Sequence, residues 1–118
     1  MRRQRRANAL SVASYVSALS DKTRRRILRL LAFGELTQAD IVRHFAMSQP
    51  AIVKHLRVLK RAGLIRERRS GRWCYYRLDH DAAKAAYEQM RREWETILAL
   101  RLESLKRHVE TPEEDEKR

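Results

Sequence analysis

Gln49, Val53 and Arg57 stand four residues apart in the stretch SQPAIVKHLRVLKRAGLI, Ser48 to Ile65, with Lys54 beside them. On a helix, that spacing gathers them on one face. Their types suit one kind of chemistry: a glutamine amide pairs with adenine, a lysine with the acceptors of guanine, and a valine with a thymine methyl. Ile52, Leu56 and Leu59, spaced by four and three, make a separate apolar stripe. Such a helix reads as one that buries one side and lays the other in the major groove of DNA. The bland alternative is a solvated basic face. A second basic element follows, with Arg66, Arg68, Arg69 and Arg72 around Gly71. An arginine-loaded hairpin directly after a groove-reading helix is placed to reach phosphate or the minor groove.

Helices and strands must position these side chains. Residues 1–6 form an arginine-rich lead, expected to be disordered, residues 7–110 the folded domain, and residues 111–118 an acidic disordered tail. A first helix is expected from Ala7 to Leu19. Ser20 or Asp21 caps a second, in which Ile27, Leu28, Leu30 and Leu31 face inward and Gly34 is the stop. Thr37 caps a third, QADIVRHFA, and Ser48 caps the fourth, where Pro50 is tolerated in the first turn. The short break between the third and fourth helices is the layout of a helix-turn-helix. After Gly63 the period changes, and RERRSGRWCYYRL reads as two strands around a Ser70-Gly71 turn.

From His80 the pattern is helical again. Ala83, Tyr87, Met90, Trp94 and Ile97 recur by four and three, and Leu98, Leu102, Leu105 and Val109 continue one residue out of step. This stripe is longer than one small core can cover, so it reads as an interface with a second copy. The expected fold is mainly α (α+β): four helices, a β-hairpin and a long fifth helix, a winged helix-turn-helix.

Composition agrees with a nucleic-acid partner. The 118 residues suit one domain, and their net charge of +12 calls for a polyanion. Cys74 is the lone cysteine, which rules out an intramolecular disulfide and fits a reducing cytoplasm. No apolar run nears the ~20 residues of a bilayer span. The start, MRRQRRANALSVASYVSALS, has the basic head of an export signal, but Ser11, Ser14 and Ser17 interrupt its apolar run, and it reads as part of the fold. No Ser/His/acid set, Cys/His set or phosphate loop marks an enzyme. The competing reading is a nonspecific or architectural binder of nucleic acid, driven by charge alone.

LSDKTRRRILRLL, ELTQADIVRHFAMSQPAIVKHLRVLKRAGLI and RRSGRWCYYRLD together resemble the ArsR/SmtB family of bacterial transcriptional regulators, over about residues 17–80. The last helix, centred on Trp94, is closest to the autorepressor-like branch. The resemblance implies a winged-helix homodimer joined through its first and last helices, with Leu10, Tyr15, Tyr87, Met90, Trp94 and Ile97 as interface candidates. It also implies repression of its own or neighbouring genes from an imperfect palindrome, in the bacterial cytoplasm and associated with the nucleoid. Carried over by position, Gln49, Val53, Lys54, His55 and Arg57 would face double-stranded DNA; Ser48 is a further candidate, and the wing arginines are expected on the backbone or in the minor groove. Val53 is a departure, since the family usually keeps a serine there.

Many relatives sense metals. Where one family site has two cysteines, this chain has Thr37 and Ala39, which hold soft metals poorly. The histidine places of the other site hold Ala82 and Glu93, or Asp81 and Arg92 one residue earlier. His80, between Asp79 and Asp81, reads as a solvated helix start. The expectation is therefore no metal, no cofactor and no membrane, with no effector identified. Cys74 reads as half-buried and inert on a wing strand; the functional alternative is a redox switch tuned by its arginine neighbours.

Overall fold

Four helix starts among the described residues each have a polar cap. The computed structural model describes residues 12–110; Leu10 and the expected basic lead and acidic tail lie outside the described residues. Helix α1 occupies residues 12–19 of the described chain and buries Tyr15 and Ala18. It gives way at Ser20, whose backbone N–H and hydroxyl both donate to the Ser17 carbonyl. Asp21 then accepts from the Arg24 amide at 3.0 Å and opens α2, Lys22–Leu31. Ile27 and Leu31, one turn apart, are buried there; Leu28 and Leu30 are only half-buried. The helix ends three residues ahead of Gly34.

A two-residue strand follows, β1, Leu36–Thr37, pairing antiparallel with a later strand. It is too short to leave a period in the sequence. Thr37 has two tasks, because its hydroxyl also accepts from the Asp40 amide and caps α3, Gln38–Arg43. Helix α3 is one turn shorter than the expected QADIVRHFA. The residues past its end still pack, and the Arg26 guanidinium lies over the Phe45 ring at 4.7 Å.

Ser48 caps α4, Gln49–Arg61, with its hydroxyl on the Ala51 amide. The end of α4 is specified as well. The Leu64 amide donates to the Leu59 carbonyl and the Gly63 amide to that of Lys60, a Schellman arrangement. It needs a left-handed residue, and Gly63 supplies it at φ +76. Leu64, buried beyond the cap, closes the end against the core.

The hairpin consists of β2, Ile65–Ser70, and β3, Trp73–Leu78, and the sheet order is β1-β3-β2. Ser70 pairs with Trp73, so the turn is Gly71-Arg72, one residue later than expected, with Gly71 at φ +58. Alternation along the strands divides the side chains between two faces. Ile65, Glu67 and Arg69 share one face with Cys74 and Tyr76; Arg66 and Arg68 share the other with Tyr75 and Arg77. The core under the sheet joins Ile27, Ile41, Ile52, Leu56, Leu59 and Ile65, all nearly inaccessible.

Asp79 ends the sheet. Its carboxylate accepts from the Ala82 amide at 3.0 Å and from Arg66 at 2.7 Å, opening α5, His80–Glu110. The chain divides into two units, residues 1–86 and 87–118. In the first, α5 contributes the buried Ala86. In the second, α5 carries a row of exposed apolar side chains, among them Tyr87, Trp94, Ile97, Leu98, Leu102 and Leu105, while Met90 is half-buried. Arg91 bonds Glu88 and Glu95 along that helix. No helix of the described residues is long and apolar enough to cross a membrane.

Candidate nucleic-acid interface

The inward stripe of α4 fixes which way the rest of the helix points. With Ile52, Leu56 and Leu59 locked in the core, Lys54, Arg57 and Arg61 are exposed on the far side. Gln49 is exposed at the first turn, where it lines a cleft with α3 and the hairpin's Arg69 and Arg72. The helix begins at Gln49, so that amide stands at the end nearest its cap, where recognition helices reach base edges. Lys54, Arg57 and Arg61 form no ion pair with an acidic residue among the described residues, and with Arg24 they rim a cleft of ≈ 580 Å³. Arg24 has no counterpart among the residues singled out from sequence. It lies on another helix, and only the fold brings it to this cleft. Its guanidinium also donates to the Ser17 and Ala18 carbonyls at the end of α1.

Three expected residues are placed differently from the rest. Val53 is half-buried and turns towards the groove between α4 and the hairpin, a space of ≈ 360 Å³. Its methyl groups reach that groove's edge instead of standing fully outward. His55 lines the same cleft as Lys54 and Arg57 but is largely buried there. Its ring nitrogen lies 3.7 Å from Asp21 and 3.4 Å from Arg24, and its side chain is only 19% exposed. One residue before the buried Leu56, it rotates towards α2 and joins the packing. Ser48 is exposed, but its hydroxyl oxygen already serves as the helix cap.

The hairpin's arginines are also not equivalent. Arg66 is at the base of the hairpin, not its tip, paired with Asp79 at 2.7 Å. Arg68 is held by Glu35 at 2.7 Å and stacks 4.3 Å from the centre of the Tyr75 ring. The Arg68 guanidinium in turn holds the Glu35 carboxyl below its ordinary value. Arg69 is exposed and reaches Glu67 on its own strand. Arg72, in the turn, is exposed and has no acidic partner among the described residues. Runs of arginine in sequence do not reveal this sorting, because the partners Glu35 and Asp79 lie outside the run. Glu67 was visible inside it, at strand spacing from Arg69.

Mutation distinguishes these roles. Arg72→Ala is expected to weaken binding to all DNA and lower the salt slope by about 0.9, one phosphate contact. Arg68→Ala, whose charge is already matched by Glu35, is expected to change the slope by much less. A salt titration of both variants on one duplex checks this, and equal slope losses would contradict the assignment.

Cys74 is half-buried on β3, on the same sheet face as Glu67 and Tyr76. Tyr76 donates to the Gln38 side chain at 3.3 Å, and burial pushes its hydroxyl well above the ordinary tyrosine value. Among the described residues, no group of three or more His, Cys, Asp or Glu side chains is gathered for a metal ion. On the geometry, the chain offers a basic helix with an amide at its first turn beside a hairpin with an arginine turn, chemistry that suits a nucleic-acid groove and its flanking phosphates.

Known proteins are similar to this chain in sequence and in fold. Residues 21–67 match the family described as bacterial regulatory protein, arsR family. Transcriptional repressor SdpR of Bacillus subtilis is 48% identical over 62 residues, covering 52% of this chain and 69% of that one. The arsenical resistance operon repressor of Escherichia coli K12 is 39% identical over 87 residues, 70% of this chain and 74% of that one. An ArsR-like transcriptional regulator from Rhodococcus sp. RHA1 superposes with a TM-score of 0.63 at 33% identity, covering 78% of this chain and 90% of that structure. Helix order, sheet and sequence lead to one conclusion: the chain belongs to the ArsR family of bacterial regulatory proteins, DNA-binding transcription regulators with a winged helix-turn-helix fold.

Proposed function

We propose that the protein works as a homodimeric repressor of its own or neighbouring genes, binding an imperfect palindrome in the bacterial cytoplasm. Helix α4 lies in the major groove of each half-site, and the hairpin turn follows the backbone or minor groove. The observation that carries this reading is the locked rotation of α4. Three buried residues fix the rotation of α4 and leave Lys54 and Arg57 exposed on its outer side. Gln49 is exposed at its first turn, beside the hairpin's Arg69 and Arg72, an arrangement that a charge-only binder does not need. The repressor role is carried over from SdpR and the arsenical resistance operon repressor, both repressors by name. Dimerisation is supported by the apolar residues of α5 from Tyr87 onward; Trp94 alone is 60% exposed. Tyr15 is already buried within its own protomer, so its packing needs no partner.

A two-fold dimer places its two reading helices about one DNA turn apart, so each bound dimer should cover two inverted half-sites about 10 base pairs centre to centre. Footprinting across the upstream region, with mass photometry of the complex, tests this. The expected result is one protected palindrome with one dimer on it, lost at working concentrations in Trp94→Ala. Uniform protection without boundaries, or one monomer per site, would reject the proposal.

A further inference from the structure

Glu67 is the acidic side chain on the wall of the groove between α4 and the hairpin. Both of its carboxylate oxygens are engaged. Lys60 of α4 donates to one at 2.8 Å, and Arg69 of β2 donates to the other at 2.9 Å. One carboxylate thus bridges the reading helix and the wing, the two elements assigned to DNA. Its side chain is 14% exposed. The Lys60 ammonium, against the opposing effect of burial, holds its carboxyl below the ordinary glutamate value, with smaller help from Cys74 and Arg69. Glu67 therefore keeps its negative charge at neutral pH.

We propose that Glu67 is a specificity-determining residue: it withholds Lys60 and Arg69 from indiscriminate phosphate contact and ties the wing to the recognition helix. The proposal rests on the reading of the protein as a sequence-specific DNA binder. A phosphate that approaches Lys60 or Arg69 must compete with a hydrogen bond already made, and it meets the carboxylate's own charge. Lys54, Arg57 and Arg72 carry no such competitor among the described residues. Phosphate contact by Lys60 and Arg69 is therefore weakened most on random DNA, where no base contact fixes the register. There the two cations would otherwise seek any phosphate within reach, so the sequence-independent part of binding is lowered. The tie also limits how far the hairpin can swing from α4, so few registers on the duplex satisfy both elements at once. Affinity for arbitrary DNA is given up, and discrimination is kept. Lys60 and Arg69 are both largely exposed. Such pairs add little to folding stability, so their loss is expected to leave the fold in place.

The test compares Glu67→Gln with the unaltered protein on the footprinted upstream site and on a random duplex, across a salt series. The amide keeps the size and an acceptor but removes the charge. Random-duplex affinity is expected to rise about tenfold at 0.15 M salt and the salt slope to steepen by about 1 to 2, as one or two phosphate contacts are added. Affinity for the upstream site is expected to rise less than about threefold, so the specificity ratio falls. Lys60→Gln gives an independent reading that does not depend on how Glu67→Gln folds. If Lys60 is withheld, its loss changes the random-duplex slope little, whereas a slope flattened by about 0.9 would overturn the proposal. So would an unchanged slope in Glu67→Gln with unchanged melting, or equal gains on both duplexes. An unaltered protein that already shows no preference fails at the regulator reading itself, and that failure is recognised before any substitution is compared.

Discussion

Truncating Leu56 to alanine is expected to destabilise the protein by about 2–5 kcal/mol, the range for a large apolar side chain removed from a close-packed core. Leu56 is 1% exposed, between Ile52 and Leu59 on the inner side of α4. Its removal loses the transfer energy of the side chain and leaves a cavity beneath the helix that presents the reading face. Fold and function meet at this residue. A softened seat for α4 should weaken operator binding more than binding to random DNA, because only the former needs the face held at one angle. Denaturant unfolding at fixed protein concentration checks the stability term. A loss below about 1 kcal/mol would mean that the core tolerates the gap and that Leu56 does not seat the helix.

Lys54→Ala and Gln49→Ala are each expected to cost about 1–3 kcal/mol on the operator while leaving melting unchanged. Both side chains are exposed, and Lys54 forms no ion pair with an acidic residue among the described residues. Nothing within the fold is lost with them. The cost should depend on the base pair opposite each side chain, so the variants should also relax preference at one position of the site. His55→Ala is a useful contrast. The ring is held between Asp21 and Arg24 on the wall of the cleft that Lys54 and Arg57 also line, so its effect should be on stability before base preference. Equal losses on operator and random DNA for Lys54→Ala and Gln49→Ala would show that the reading face is placed wrongly.

Where a single local rule decides the conformation, the chain could be read in advance. Thr37 and Ser48 cap their helices because a short side-chain oxygen ahead of an apolar stripe satisfies a first-turn amide wherever it occurs, and Asp21 takes the cap that the sequence left open between it and Ser20. Gly63 ends α4 because only glycine takes the left-handed position without cost. The stripe of Ile52, Leu56 and Leu59 was legible for the same reason: its period belongs to the helix alone. Features that depend on a partner distant in sequence were not legible. Strand β1 is two residues long and exists only because β3 is beside it. The difference between a held Arg68 and an unheld Arg72 depends on Glu35, 33 residues away. His55 sits on the reader but faces α2, because Asp21 and Arg24 wait there. Charge runs in a sequence give the sign of a surface, and only the fold shows which charges are already spoken for.

The outward face of α4 is expected to read sequence. Fluorescence anisotropy of the protein on its own upstream DNA and on scrambled DNA, across a salt series, tests it most directly. A preference of about a thousandfold or more for the upstream DNA, held as salt rises, is the predicted result. Equal affinities that fall together with salt, on that DNA and on sites selected from the whole genome, would contradict it and leave a binder driven by charge alone.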